Sequence, residues 1–505
     1  ILVESDRKNF NFLKSKNGKA FFIGATHKNQ ILLQSISILS CKLKSMSVIV
    51  ILSSPNRQAE HIYKSLGVDR FIYLYKLNFV KNTFKFNDSS LTKTKINDVL
   101  KIKYKGYSIG KIALSSIMRR EKKSRFDFEN DDKYLLNSYL MKSIKIIDYF
   151  EKLFNEEKPS LLFCVDKGYS PDGEICEVAF KKCIPIIECH VGYKSGTLLY
   201  KKFFMNNKND HFASIDNSNW NIIKKQSIKK STILAFFKEL KECYSNGTWH
   251  DAVGTQFNKK IINRSLLVKK LDLNPKKKIA VLFSHIFWDA TFFYGKDLFY
   301  DYQDWLEKSL KIMKKKPNIN WIIKFHPAIK VKNIRDKKKS VGEEKFLQYF
   351  KKELPDNIKI LDFNDEISTY SFFNIMDYCL TVRGTIGIEA ATFGIPVITA
   401  GTGRYDGLGF TIDSQTIKEY ESRLLNIEKI KRYSATKKKL AIKYASTLFF
   451  KKTLYTEFVD FVYLKNNSAD IKISIPNHVK DFNIYKDISL VKKWIGNFQT
   501  DLLIK

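Results

Sequence analysis

Short apolar runs alternate with longer amphipathic stretches along most of this chain. The first series opens at Ala20-Phe21-Phe22-Ile23-Gly24, a strand that leaves through the turn Ala25-Thr26-His27, and a helix follows over 28–44. Ser47 to Leu52 predicts a second buried strand, Pro55 to Leu66 a helix, and Arg70 to Leu74 a third strand. Residues 78–130 are polar and Lys-rich and show no assignable period, and a helix is expected over about 131–156. Leu161 to Val165 is a strand ending at Asp166, a helix follows at about 172–182, and Pro185 to Cys189 is a strand ending at His190. Strand and helix periods that alternate in this way predict a parallel, doubly wound sheet.

Residues 203–275 read as polar and mostly helical, with a break at Ser245-Asn246-Gly247-Thr248. Asn274-Pro275, followed by three lysines, is the clearest boundary, and a second alternating series begins after it. Its strands are expected at 279–283, 320–325, 358–361, 378–382 and 396–400, with a helix at 301–315. The tail after 415 reads as helical, with apolar residues at helical spacing from Leu440 to Phe450. The expected fold class is α/β, with two Rossmann-like doubly wound domains facing across a cleft. They span 1–275 and 276–415, and a C-terminal helical segment, 416–505, packs back on both.

The second series holds the segment richest in chemistry, Thr381 to Asp413. A strand enters the turn Arg383-Gly384-Thr385, which opens onto a helix with a narrow packing face of Ile388, Ala391 and Thr392. Gly394-Ile395-Pro396 stops that helix, the next strand follows, and Gly401, Gly403, Gly407 and Gly409 then mark a loop. A helix start at the carboxyl end of a parallel strand is an anion site, because free backbone N–H groups and the helix dipole both favour a phosphate there. Glu389 stands one turn in, where a carboxylate reaches ribose hydroxyls. An ordinary βαβ unit with a glycine turn reads similarly, and the extra glycines favour a ligand loop. Upstream, Trp321 to Phe325 runs straight into His326-Pro327. Pro327 ends that strand and sets the chain direction. His326 is thereby held at the carboxyl edge, where open α/β sheets bind ligands. A histidine there can donate to a phosphate or protonate one as it leaves.

Lys-Phe-His-Pro at 324–327, then Gly-x-Glu-Ala-x-x-x-Gly-x-Pro-Val from Gly387 and Gly-x-x-x-Tyr-x-Gly-x-Gly-Phe-Thr from Gly401, resembles bacterial capsule polysaccharide biosynthesis proteins, the group that includes the 3-deoxy-manno-octulosonic acid (Kdo) transferases. The likeness is close over roughly 278–415 and looser before that. It implies the two-domain GT-B glycosyltransferase fold, a nucleotide-sugar donor such as CMP-Kdo held by the second half, and a glycan or lipid-linked acceptor held by the first. It implies donor-binding roles for Lys324, His326, Arg383, Gly384, Thr385, Glu389 and Tyr405, and for His285 and Asp289 in the entry loop Ser284-His285-Ile286-Phe287-Trp288-Asp289. It implies no cofactor beyond the donor and no bound metal, with Lys324, His326 and Arg383 carrying the leaving phosphate instead. The His-Pro pair also resembles that of bacterial sialyl- and polysialyltransferases, which accompany it with a hydroxyl dipeptide. Here the matching turn keeps only the hydroxyl of Thr385. A polyol-phosphate transferase of the teichoic acid type, a nucleotide-sugar 2-epimerase and a non-enzymatic polysaccharide-binding assembly factor are the other readings.

In the first half, Asp166 stands at a strand end, with Gly168 letting the backbone turn. A carboxylate there can take the acceptor's proton or attack the donor sugar. The resemblance places the base of related transferases in an acidic pair before glycine, and Asp166-Lys167-Gly168 keeps the first carboxylate and the glycine. A turn or N-cap aspartate is the plain alternative. His190 ends the neighbouring strand, and strand alternation aims Glu188 the same way. The catalytic candidates are therefore Asp166, His190 and His326.

A formal charge of +36 favours anionic partners, either nucleotide donors, acidic glycans or an anionic inner-membrane surface. A composition rich in Lys, Ile, Asn and Phe accounts for that charge by itself. The lysines are dispersed and no recognition-domain signature is visible, so no specific nucleic-acid partner is expected. The seven cysteines form no CxxC pair and several sit in apolar runs, which fits buried thiols in a reducing compartment. The chain starts at Ile1 without Met, and no signal peptide is visible in it. The expectation is a cytoplasmic protein, peripheral on the inner membrane.

Overall fold

The computed structural model describes residues 18–25, 28–77, 96–127, 132–249, 255–256, 258–350, 354–463, 471–476, 479 and 481–504. The Thr26-His27 turn and residues 78–95 and 128–131 of the polar stretch lie outside the described residues.

The first sheet is built from β1 (Lys19–Ile23), β2 (Ser47–Leu52), β3 (Arg70–Tyr73), β4 (Leu161–Cys164), β5 (Ile186–Val191) and β6 (Thr197–Phe203). The second is built from β7 (Lys278–Phe283), β8 (Ile319–Lys324), β9 (Ile358–Leu361), β10 (Tyr378–Thr381), β11 (Val397–Thr399) and β12 (Ile412–Asp413). The tail adds β13 (Thr453–Tyr455), which joins the first sheet, and a hairpin of β14 (Asp460–Tyr463) and β15 (Ile471–Ser474). The strand orders are β13-β6-β5-β4-β1-β2-β3 and β12-β11-β10-β7-β8-β9. The second sheet is parallel throughout, and in the first only β6 and β13 run antiparallel to their neighbours. Each half therefore starts in the middle of its sheet, runs to one edge, and returns to the other side of its first strand. This is the doubly wound arrangement, and its order reverses between β1 and β4 and between β7 and β10. Such switch points open a crevice at the carboxyl ends of the strands.

The strands read as continuous apolar runs because helices cover both faces. Phe22 of β1 stacks on Phe163 of β4 with ring centroids 4.2 Å apart, and Val281, Ile322, Leu380 and Ile398 fill the second sheet with no exposure. Burial of such side chains at about 25 cal/mol per Å2 is the main favourable contribution to both cores.

β6 is absent from the sequence reading, which has only polar helix beyond 203. Lys201 and Lys202 disguise it, since a lysine pair looks like solvated surface. Both are buried, because Lys201 Nζ donates to Ser214 Oγ at 2.9 Å and Lys202 Nζ donates to the carbonyls of Trp494 and Ile495 at the end of the helix Lys486–Ile495. The tail is also less helical than expected. Ile417–Leu425, Ala435–Ser446 and Lys486–Ile495 are helices, whereas 453–474 supplies the three strands. Of the cysteines, Cys183 is exposed rather than buried and all seven are free thiols.

The halves meet closely. Gly168, after β4, faces the ring of Phe293 from the second half, and a Cβ on it would lie 2.1 Å from that ring. The Tyr169 hydroxyl accepts from Ala290 N–H at 2.8 Å, and Ser115 donates to the Thr291 carbonyl at 2.9 Å. Among the described residues no helix is long and apolar enough to cross a membrane.

Candidate functional site

The loops after β7, β8 and β10 open into a cavity of about 220 Å3 at the second sheet's switch point. Ser284 and His285 enter it from β7, Lys324, His326 and Pro327 from β8, and Arg383, Gly384, Thr385 and Glu389 from β10 and the helix Thr385–Thr392. Arg404 closes it from the glycine loop, and His211, Tyr244 and Gln256 close it from segments that precede β7. Gly384 is the N-cap of the helix and supplies no side-chain cap. The first-turn N–H groups therefore point toward the cavity with the positive end of the dipole.

Hydrogen bonds settle which nitrogen of each histidine carries its hydrogen. His326 Nδ1 accepts from Ala328 N–H at 3.2 Å, and His211 Nδ1 accepts from Ala213 N–H at 3.1 Å. Both neutral rings therefore carry the hydrogen on Nε2, on the side left for a ligand. His285 is the reverse. Its Nε2 accepts from Arg383 N–H at 3.3 Å and its ring stacks on Tyr302, so it braces the turn. All three are held neutral. Burial, with Lys332 and Lys324 adding to it and Asp289 opposing, lowers His326 to about 4. Burial, and after it nearby arginines, hold His285 and His211 well below the usual histidine value.

The two arginines differ. Arg383 donates to Asp297 Oδ1 at 2.6 Å, to Tyr302 OH at 3.0 Å and to the Thr402 carbonyl at 2.9 Å, so its charge is already met and its guanidinium ties two loops together. Arg404 donates to Thr385 Oγ1 at 2.8 Å, to Tyr193 OH at 3.2 Å and to the Arg383 carbonyl at 3.1 Å. It has no carboxylate partner among the described residues, and its buried Nε has no acceptor. Arg404 is thus the cation available to an incoming anion. Arg404 is not among the donor residues expected from the sequence, although it stands inside the glycine loop next to Tyr405. Lys324 is a weaker cation than expected. It donates to the Ile367 carbonyl at 3.2 Å, and burial, together with Lys259, lowers it to about 8 against the pull of Asp365.

Glu389 lines the cavity but is 1% exposed. Tyr244 OH donates to its Oε2 and Trp249 Nε1 to its Oε1 at 3.2 Å. A contact to ribose hydroxyls must therefore share these oxygens. Burial raises its pKa to about 7, with the two hydrogen bonds and Arg404 opposing. The folded state then binds a proton more tightly than the unfolded chain, whose glutamate titrates near 4.3. Stability from this group is present below the unfolded pKa and declines as pH rises from there to about 7. Glu389→Gln keeps an acceptor for Trp249 and a donor for Tyr244. We expect it to remove this part of the decline in Tm between pH 5 and 8. An unchanged pH profile would show that Glu389 is ionised throughout.

Other expected site residues stand elsewhere. Tyr405 is core, 2% exposed, with its hydroxyl donating to the Gly384 carbonyl at 2.8 Å, so it supports the turn from behind. His285 and Asp289 diverge rather than share a face. Asp289 pairs with Lys332 and accepts from Tyr169 OH at 3.2 Å, and despite burial Lys332 and Arg119 hold it well below the usual carboxylate range. Asp166 and His190 do not line the cavity. Asp166 accepts from Arg119 Nη1 at 2.9 Å, and the Arg119 guanidinium lies 4.2 Å from the centre of the Tyr169 ring. A polar chain thus runs Asp166, Arg119, Tyr169, Asp289, Lys332 across the two halves and ends beside His326. His190 stacks on Phe212 at 3.7 Å, with its buried Nε2 3.7 Å from Glu188 Oε2. Lys167 pairs with that same Glu188 at 3.2 Å. Among the described residues no group of three or more His, Cys, Asp or Glu is gathered to hold a metal ion.

Two doubly wound sheets, facing each other across loops at their carboxyl edges, with an anion-suited cavity at a switch point, define a GT-B-like α/β protein. Residues 244–446 match the capsule polysaccharide biosynthesis protein family, so the resemblance carried by the motifs holds over the second half and the segment leading into it. No curated protein matches the chain. Among solved structures, the β-Kdo 2,4 transferase KpsC of Thermosulfurimonas dismutans aligns at 14% identity over 57% of this chain and 80% of its own, with a TM-score of 0.36. MnaA of S. aureus, solved with UDP, aligns at 13% identity over 85% and 94%, with a TM-score of 0.28. HepE of Anabaena, in complex with UDP and glucose, aligns at 10% over 86% and 96%, with a TM-score of 0.29. The fold assignment stands on this chain's own strand order.

Proposed function

We propose that the protein is a glycosyltransferase of surface polysaccharide synthesis, moving a sugar from a nucleotide donor to a glycan or lipid-linked acceptor. The observation that carries this reading is the switch-point cavity, where an uncapped helix start, Arg404 and the Nε2–H of His326 converge. A leaving nucleotide phosphate develops negative charge as the sugar–oxygen bond breaks. Fixed donors in a dry site stabilise that charge at no cost in reorganisation. The donor nucleotide belongs to the second half. The acceptor approaches from the first, where Asp166 takes its proton and Arg119 orients the carboxylate.

A screen of CMP-, UDP-, GDP- and CDP-linked donors with a lipid-linked or oligosaccharide primer tests this reading. Transfer from one of them is the expected result, and Asp166→Asn should then lower turnover by about a hundredfold or more while leaving donor affinity unchanged. Epimerisation of a free nucleotide sugar without transfer would convert the assignment to a 2-epimerase. Binding of glycan with no turnover of any donor would convert it to an assembly factor.

The protein works at the inner membrane surface, held by its charge of +36. Vesicles containing anionic lipid should retain it at low salt and release it near 1 M, where the Debye length falls to about 3 Å. Sequence-selective RNA binding that survives about 0.3 M salt would mark the charge as nucleic-acid recognition instead.

A further inference from the structure

The donor cavity is not a property of the second half alone. Three backbone segments meet at its rim: 207–211 from the first half, 292–296 and 401–404 from the second. His211 N–H donates to the Gly403 carbonyl at 2.8 Å, and Gly295 N–H donates to the Asn209 carbonyl at 2.7 Å. The approach is closer than side chains allow. Gly403 has φ +98, and a Cβ on it would lie 2.7 Å from Gly295; Gly295 has φ +54, and its Cβ would lie 2.0 Å from the Thr402 carbonyl oxygen. Glycine at both positions lets the segments touch backbone to backbone, which places His211 beside Arg404.

The His211 ring is fixed on its other sides as well. It stacks on Phe212 at 4.4 Å and leans on Tyr294 at 4.6 Å, and Ala213 N–H occupies Nδ1 at 3.1 Å. Among the described residues the ring's hydrogen bond is the one at Nδ1, and Nε2 faces the cavity that His211 lines. Arg404 is fixed through Thr385, Tyr193 and the Arg383 carbonyl, with its buried Nε lacking an acceptor. Two cavity-lining side chains, one from each half, are thus locked in place with donors to spare. Neither has a role in the fold that uses those donors.

The geometry points to a phosphate clamp made jointly by His211 and Arg404, with His211 reaching from the acceptor half to the phosphate of the bound nucleotide. This inference rests on the nucleotide-donor reading above and adds to it the contact from the first half. The imidazole acts as a neutral hydrogen-bond donor through Nε2–H, so no proton changes hands in the contact. Burial, with Arg404 and Lys167 after it, keeps the ring uncharged, which fits that role.

Calorimetric titration separates the phosphate contact from the rest of the ligand. CMP, UMP, GMP and AMP are each titrated beside the corresponding nucleoside. The wild type should bind at least one monophosphate more tightly than its nucleoside. In His211→Phe, which keeps the ring stack, and in Arg404→Ala, that ratio should fall by about ten- to a hundredfold, the value of a hydrogen bond to a charged group. Nucleoside affinity should not change. His211→Gln, which retains an N–H, should recover much of the ratio, and it guards against a folding defect in the phenylalanine variant. A folded His211→Phe protein with the wild-type ratio overturns the shared clamp, and so does a folded His211→Gln protein whose ratio falls as far as that of Arg404→Ala. Failure of every monophosphate and nucleoside to bind the wild type overturns the nucleotide reading itself, and the clamp with it.

Discussion

Turnover of the His326→Ala protein is expected to fall by two to three orders of magnitude, the usual loss when one fixed donor to a developing negative charge is removed. Tm should change little. The ring lines a cavity, and the Ala328 N–H that it leaves behind can be met by water there. The expected signature is specific because the tautomer is known. With Nδ1 occupied, the neutral ring presents Nε2–H, and a pKa of about 4 keeps it neutral at working pH. His326→Gln places an N–H near the same point and should recover part of the rate. The loss in His326→Ala should also be the same at pH 6 and pH 8. If glutamine rescues nothing and the wild-type rate declines steeply as pH rises, His326 is transferring a proton rather than donating a hydrogen bond. A near-normal rate in both variants would remove it from the site.

Asp501→Ala should cost about 3–5 kcal/mol of stability, because it strands two buried ammonium groups. Asp501 is fully buried at the end of the chain, paired with Lys452 and 3.5 Å from Lys201, both equally buried. Its Oδ2 also accepts from Asp216 N–H at 2.8 Å and from Asn219 Nδ2 at 3.3 Å. Burial works to raise its pKa, but Lys201 and Lys452 outweigh it and hold the carboxyl well below the usual range. A depressed carboxylate contributes stability that is fully present above the unfolded pKa of about 3.9 and lost only as pH falls from there through the folded pKa, which lies well lower. The check is chemical denaturation at pH 7 and at about pH 3.5, read as a shift of midpoint with the slope unchanged. The cost should persist almost whole at about pH 3.5, because the folded carboxyl is still ionised there and the stranded lysines are still charged. Replacing Asp501, Lys201 and Lys452 together by Leu, Met and Met should restore most of the loss, since no unpaired charge then remains. An alanine variant with wild-type stability at pH 7 would mean that water reaches these lysines.

Both outcomes concern residues that the sequence treats very differently. His326 is conspicuous, because a proline follows it at the end of an apolar run, and that local pattern alone places it at a sheet's carboxyl edge. Asp501 is invisible, since nothing within its neighbourhood in the chain announces two lysines 300 and 49 residues away. The same division runs through the site. Arg383, Gly384 and Thr385 were legible as a turn entering a helix. That Arg383 is neutralised by Asp297, 86 residues earlier, was not. Glu389 was legible as one turn into that helix, but its partner Tyr244 lies 145 residues upstream in a stretch that read only as polar helix. His211 sits in that stretch too. Its one local signal was the aromatic Phe212 beside it, and that does not distinguish a ligand from a packed ring. Arg404 could have been found, because it lies within the glycine loop and is the only arginine there.

The sequence alone determined the alternation of strand and helix and the position of the turn that enters the helix Thr385–Thr392. These follow from hydrophobic period, glycine and proline, which act over a few residues and leave a mark on the order of the chain. Tertiary structure decided which charges are spent and which remain available. Burial lowers the histidines and raises Glu389, Asp297 satisfies Arg383, and Arg404 has no carboxylate partner among the described residues. Electrostatic energy depends on distance and local dielectric, and both are set only when segments far apart in the chain are brought together.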